Sequence, residues 1–332
     1  MAPLLVLPEL LTGMGLAAGS IITAAGIDPR LFDDAENTIP FMDLGRLLAH
    51  CATLAACPHL GLLIGRQAGL EALGQVASLV RSAPDLGTGL RSLMRYLHLH
   101  DQGAVPLLWE HGDTAILGYV IHLPDVPATA QIYDGAVAIV YNILKELGGN
   151  AWEAREVRFH RPPPTDLRPY REHFRTRLQF GSEHAAVVFD ASWLRRRLDG
   201  ADALVYRQAL REAQTLDAAG GADLAANLRR VLRRLVVGGA GFQGTSLTAV
   251  AQLFAMHPRT LNRRLCDQKT SFKALIDDTR YEIARQLLRD SPLSLLEVAL
   301  TLGYAGESAF SRAFRRWSGT CPAVWRTRQR HL

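Results

Sequence analysis

Apolar residues in the first hundred positions recur at helical spacing, as in Leu44, Leu47, Leu48 and Cys51, and again in Leu86, Leu90, Leu93, Met94 and Leu97. Spacing of this kind gathers side chains on one helix face, so this part of the chain is expected to be largely helical. The earlier apolar stretch from Leu4 to Ile27 is interrupted by Pro8 and Glu9, diluted by four glycines, and preceded by no basic segment. It predicts a buried helix rather than a signal peptide or a membrane span. Between Val105 and Leu123 the pattern becomes two extended apolar runs around His111-Gly112-Asp113, which reads as a hairpin. A helix is expected from about Ala128 to Leu147, and then a strand from Glu156 to His160 that stops at Pro162 to Pro164. A short helix around Tyr170 and strands near Leu178 to Phe180 and Ala186 to Phe189 complete this part. Helices leading into a small sheet make it an α+β domain.

The run Asp217 to Ala222 is small and Gly-rich, as a short interdomain connection requires. The predicted division is therefore 1–219 and 220–332. Just beyond it, Leu224, Leu228, Val231, Leu232 and Leu235 recur at helical spacing, with Arg229, Arg230, Arg233 and Arg234 on the other sides. This is a basic amphipathic helix; its leucines also fit two coiled-coil heptads, but so short a run reads better as the first helix of the next domain.

From Ser246 the sequence is duplicated. Leu247, Val250, Ala251, Phe254 and Met256 recur 48 positions later as Leu295, Val298, Ala299, Leu302 and Tyr304. After a one-residue insertion, Leu261, Arg263 and Leu265 recur as Phe310, Arg312 and Phe314. Each copy is an apolar helical stripe, a tight turn, and a second helix held by an i, i+4 apolar pair, which is the pattern of a helix-turn-helix. The two units are expected at about 246–268 and 294–317. Pro258 suits the first position of its helix, whereas His257 sits where Ser or Asn would cap better. In the second copy Gly306 and the hydroxyl of Ser308 are expected to shape the turn and cap the helix.

At about 100° per residue, Leu261 and Leu265 set the buried direction of the first recognition helix, and Arg259 and Arg263 point away from it, flanked by Thr260, Asn262 and Cys266. In the second, Phe310, Phe314 and Trp317 point inward; Ser308, Arg312 and Arg315 lie opposite, with Ser311 and Arg316 on the shoulders. Arg259, Thr260, Asn262, Arg263, Ser308, Ser311 and Arg312 are the candidate base readers. Arg263 and Arg312 lead, because a guanidinium can donate a bidentate pair to guanine O6 and N7. Arg264, Lys269, Lys273, Arg315 and Arg316 are the candidate phosphate contacts. A continuous helical pattern from about Phe272 to Arg289 joins the copies as a rod of about 27 Å, close to the roughly 34 Å repeat of the major groove. If only one recognition helix enters straight DNA, the duplex must bend for both to do so.

Charge sharpens this picture. The net charge of +5 divides unevenly: before Ala222 there are 19 Lys and Arg against 24 Asp and Glu, and from Ala222 onward 18 against 8. Only the C-terminal part is suited to a polyanion. Cys51, Cys57, Cys266 and Cys321 form no CxxC pair and join no His cluster at ligand spacing, so no metal site, cofactor or redox motif is expected. GxSxG, HExxH and phosphate-binding Gly loops are absent from the sequence, and an enzyme fused to a DNA-binding module would have to use Cys266, on the recognition helix itself. No catalytic residue is assigned. In the N-terminal part, Trp109, Tyr119, His122, Arg158 and His160 are candidate effector contacts, since alternation puts Arg158 and His160 on the strand face opposite Val157 and Phe159.

The segments SLTAVAQLFAMHPRTLNRRLCDQKTSF and SLLEVALTLGYAGESAFSRAFRRWSGTCPAVWR resemble the AraC/XylS family of transcription regulators. IDPRLFDD, LGLLIGRQ and REVRFHRPPPTDLRPYREHFRTRLQFGSEHAAVVFD resemble the arabinose-binding-type arm of one branch of that family. The resemblance implies a homodimeric regulator of the bacterial cytoplasm and nucleoid, usually an activator. It would bind double-stranded DNA, work with RNA polymerase, and respond to an unidentified small molecule through its N-terminal domain. The alternative is a ligand-independent protein whose N-terminal domain only oligomerises. Lys269, where the family commonly has Gly after the first recognition helix, and His257, in place of the usual Ser cap, are the departures.

Overall fold

The apolar alternation around Gly112 becomes the edge of a five-stranded sheet. The computed structural model describes residues 2–101, 103–121, 123, 125–182, 184–219, 224–225, 228–229, 231–232, 246–254, 256–290 and 293–330. It forms two compact units, Met1–Gly221 and Ala222–Leu332. His122, the Gly220-Gly221 pair, Arg230, Arg233, Arg234 and Leu235 lie outside the described residues.

In the first unit, strands β1 (Ala104–His111), β2 (Thr114–Ile121), β3 (Ala154–Arg158), β4 (Arg177–Gln179) and β5 (Ala185–Asp190) are ordered β1-β2-β5-β3-β4. β1 and β2 are joined at Gly112, whose φ of 60° only glycine adopts freely. β3 runs antiparallel to β5 and parallel to β4. The helices are α1 (Leu7–Gly13), α2 (Ala18–Ala24), α3 (Phe41–Leu54), α4 (Leu60–Gly65), α5 (Gln75–Arg81), α6 (Leu86–Tyr96), α7 (Thr129–Gly148), α8 (Arg168–Phe174) and α9 (Ala203–Ala219). Ala115, Leu117, Tyr119, Ile121, Val157, Ala185, Val187 and Phe189 bring one sheet face into the same core as α7. The single helix expected from Leu4 to Ile27 is instead α1 and α2, because the chain reverses at Gly15 with φ 77°. Only Leu4, Leu7, Leu11, Ile21 and Ile22 of that stretch are buried, so each short helix is amphipathic.

α4 has six residues, too few to persist alone, and α7 holds it at both ends. Gln131 accepts from the Gly61 N–H at 2.7 Å and donates to the Pro58 carbonyl at 3.0 Å. The Asn142 amide donates to the carbonyls of Gly65, Arg66 and Ala68 at 3.2, 3.1 and 2.7 Å. Between these clamps the backbones touch. A β-carbon at Gly61 would stand 1.9 Å from the Gln131 carbonyl oxygen, and one at Gly65 2.3 Å from that of Gly135.

A buried carboxylate ties α7 to α8 as well. Asp134 is fully buried; its Oδ2 accepts from the Tyr170 hydroxyl at 2.5 Å and from Arg161 Nη1 at 2.9 Å. Its Oδ1 has no hydrogen-bond partner among the described residues. Burial pushes this carboxyl up to about 6, against the lowering pull of Tyr170 and Arg161.

In the second unit, helices α10 (Leu247–Leu253), α11 (Pro258–Asp267), α12 (Phe272–Asp290), α13 (Leu295–Thr301), α14 (Glu307–Ser318) and α15 (Pro322–Arg330) build two small cores. One gathers Leu224, Leu228, Leu232, Val250, Leu261, Leu265, Phe272 and Leu275. The other gathers Ile283, Ala284, Leu288, Val298, Leu302, Phe310 and Phe314.

Two outcomes follow from the α7 contacts. Gly61→Val is expected to lower unfolding stability by about 3 kcal/mol or more, since backbone on the facing helix cannot yield as a side chain can. Gly13→Ala, with open space around it, serves as the tolerated control in the same denaturant titration. The second outcome concerns pH. A carboxyl whose folded pKa is raised takes up a proton on folding, so its contribution to stability grows as pH falls from above 6 toward the ordinary carboxylate range. His173, which burial pushes down to about 4, has the opposite slope but is present in both chains and cancels in their difference. Wild type should therefore gain on the order of 2 kcal/mol over Asp134→Asn between pH 7.5 and pH 4.5. A difference that stays flat over that range contradicts it.

Candidate nucleic-acid interface

The two copies of the duplicated motif share one design and differ in their caps. In the first, α11 begins at Pro258, and His257 is its N-cap: Nδ1 accepts from the Arg259 N–H at 3.2 Å. His257 thus occupies the cap position that the sequence gives it, its imidazole taking the N–H that a Ser or Asn side chain would take. At the far end Lys269 holds φ 56°, donates its N–H to Cys266, and is followed by Thr270 donating to Leu265, both at 2.9 Å. That pair of bonds with a left-handed residue is a Schellman motif, which explains why glycine suits the position and why lysine there is strained by about 1 kcal/mol.

The second copy opens on a capping box. Ser294 accepts from the Glu297 N–H, and Glu297 accepts in return from the Ser294 N–H at 2.7 Å. Gly303, with φ 73°, closes α13 as Lys269 closes α11. α14 begins at Glu307 with Gly306 as its N-cap, so Ser308 is the second residue of the helix and not its cap. Here no side chain caps the helix; the acidic Glu307 in its first turn complements the helix dipole.

Both recognition helices are seated as their periodicity predicts. Leu261 and Leu265 are fully buried beneath α11, while Arg259, Asn262, Arg263 and Cys266 are exposed and Thr260 is half-buried. Phe310 and Phe314 are fully buried beneath α14, and Trp317 is half-buried against Tyr281 and Tyr304. Ser308, Arg312, Arg315 and Arg316 are exposed and Ser311 is half-buried. Lys269 and Lys273, around the start of α12, are exposed, and Arg264 is half-buried. Arg316 is engaged inside the unit: its Nη2 lies 3.4 Å from Asp277 on α12. Sequence reasoning did not find that partner, because a pairing between residues 39 positions apart leaves no periodic trace.

The four effector candidates among the described residues, Trp109, Tyr119, Arg158 and His160, are not brought to one place. Trp109 and Arg158 lie on the sheet face opposite the α7 side: Trp109 leans over Gly118, and Arg158 is held by Glu156 at 2.6 Å. Tyr119 lies on the α7 face, hydrogen-bonded to Asp101 and edge-on to Tyr133. β3 ends at Arg158, so His160 lies beyond the strand, where alternation no longer applies; its ring meets Tyr133 at 5.5 Å. Burial pushes the Tyr119 hydroxyl well up, and the Asp101 carboxyl is raised for the same reason. A groove of about 600 Å³ lined by Glu71, Arg81, Asp202 and Val205 includes none of these four.

Among the described residues no group of His, Cys, Asp or Glu is placed to hold a metal ion, and no helix is long and apolar enough to cross a membrane. Cys51 and Cys57 are buried thiols, and Cys266 and Cys321 are exposed ones.

Comparison with known proteins agrees with the two-part architecture. Residues 15–198 match the family described as the arabinose-binding domain of AraC transcription regulator, and residues 250–328 match a helix-turn-helix domain. The chain is 27% identical over 319 residues to the ornithine utilization regulator of Pseudomonas aeruginosa, spanning 96% of this chain and 93% of that one. It is 32% identical over 294 residues to the transcriptional regulator VirS of Mycobacterium tuberculosis, spanning 86% and 84%. The solved structure of the transcriptional regulator CdpR from Pseudomonas aeruginosa is 24% identical with a TM-score of 0.46, covering 93% of this chain and 96% of its own. The named relatives are regulators, and the chain accordingly belongs to the AraC family of DNA-binding transcription regulators, with an arabinose-binding-type domain ahead of its helix-turn-helix pair.

Proposed function

We propose that this protein reads an asymmetric, two-part operator through Arg263 and Arg312, and that it acts as an effector-controlled activator. The observation that carries the reading is the equivalence of the two arginines. Each is exposed on a recognition helix, opposite a fully buried i, i+4 pair, in a unit with 18 basic residues against 8 acidic ones. Arg259, Thr260, Asn262, Ser308 and Ser311 complete the base-facing surfaces. Arg264, Lys269, Lys273 and Arg315 neutralise phosphates, with Arg316 in a lesser part because Asp277 already engages it. The length of α12, 19 residues or about 28 Å, supports this reading, because it is close to the roughly 34 Å repeat of the major groove.

The N-terminal unit, on this reading, binds a small molecule and dimerises the protein, and the bound complex recruits RNA polymerase in the bacterial nucleoid. Support for the small molecule comes from the family of the domain and from Tyr119 and His160, which share Tyr133 as a neighbour.

Arg263→Ala and Arg312→Ala are each expected to weaken binding to a selected operator by about 1–3 kcal/mol and to relax base preference at one half of the site. Unchanged footprints and preferences in both variants would remove the base-reading roles. For the sensing role, thermal shifts of the full chain are measured against a metabolite panel. A true effector at one hundred times its Kd stabilises the native state by about 2.7 kcal/mol. A panel without effect, on protein that still binds DNA, favours an N-terminal unit that only oligomerises.

A further inference from the structure

The two small cores of the DNA-binding unit meet on a single turn of α12. Phe272 and Leu275 belong to the first core and Ile283, Ala284 and Leu288 to the second, and among the described residues Ile276 alone packs against both. The turn that follows is rich in polar ties. Asp278 lies 3.4 Å from Arg229, in the segment that closes the first core, and Asp277 lies 3.4 Å from Arg316, on the second recognition helix. Arg280 stands 5.0 Å over the Tyr304 ring, and Tyr281 packs edge-on to Phe314. Thr279 is buried between these contacts and donates to the Leu275 carbonyl at 2.7 Å, a back-bond that bends helices.

We infer that Asp277 and Asp278 are positioning residues that fix the angle between the two recognition helices, so that the protein selects the spacing of its half-sites as well as their bases. This rests on the reading that both helices engage DNA at once. Adjacent carboxylates on a helix point about 100° apart, so one can hold the first unit while the other holds the second. A purely electrostatic role makes the opposite forecast: removing an acid from a basic unit tightens DNA binding at every spacing, because less negative charge faces the phosphates.

The full chain is used to select a bound sequence from random duplexes, and affinities are then measured on that duplex and on copies with one and two base pairs inserted between the halves. Wild type is expected to lose at least tenfold on insertion. Asp277→Asn and Asp278→Asn are expected to bind the selected spacing three- to tenfold more weakly and to show a smaller insertion penalty. Asp278→Arg combined with Arg229→Asp should restore the wild-type penalty, with melting temperatures confirming that each variant is folded. Uniformly tighter or uniformly weaker binding by the Asn variants at all spacings overturns the proposal. A wild type indifferent to insertion overturns it too, and the Arg263→Ala and Arg312→Ala footprints then show whether the two-reader reading fell with it: it stands if each variant loses protection at its own half, and falls if one variant is silent.

Discussion

A helix-turn-helix of this size cannot bury a core by itself, and that constraint shapes the whole DNA-binding unit. α10 and α11 have 7 and 10 residues, α13 and α14 have 7 and 12, and in each pair only one face is apolar. α12 supplies the missing wall to both, its first turns to one core and its last turns to the other. Stability and geometry are therefore the same contact. The leucines and phenylalanines that keep each recognition helix folded also hold it to the rod, and a rod shared by two such helices sets their separation.

The same economy of contact appears in the N-terminal unit, where α7 plays the central part. Gly61, Gly65 and Gly135 let two helix backbones meet, while Gln131 and Asn142 hydrogen-bond backbone groups at the two ends of α4. Asp134 extends the arrangement to α8 through Tyr170. α7 thus touches the sheet on one side, where Tyr133 meets Tyr119, and clamps its neighbours on the other. Charge completes the division of labour. The net positive charge lies beyond Ala222, where acids are few, and those acids include Asp277 and Asp278 on α12, which pair with Arg316 and Arg229.

Much of this was legible in the sequence, for physical reasons that also mark where legibility ends. The duplication announced itself because both copies bury the same positions, and burial dictates residue type at Leu261, Leu265, Phe310 and Phe314. The hairpin at Gly112 and the long helix α7 were visible through periodicity and turn chemistry. The glycine contact was present as LGLLIGRQ but had no readable partner, since close backbone approach depends on a helix some 70 residues away. The cap was misread at Ser308 because capping depends on where a helix starts, and boundaries are the least certain feature of a pattern. The effector candidates scattered because strand alternation decides faces only within a strand. Tyr119 and Trp109 differ by face, and His160 lies past the end of β3.

The most direct test is a hydroxyl-radical footprint of the full chain on its selected operator. For each bound protomer, two protected patches on one face of the duplex, centred about 10 base pairs apart, are the expected result of two readers on one rod. A single patch, or protection without that spacing, would contradict it.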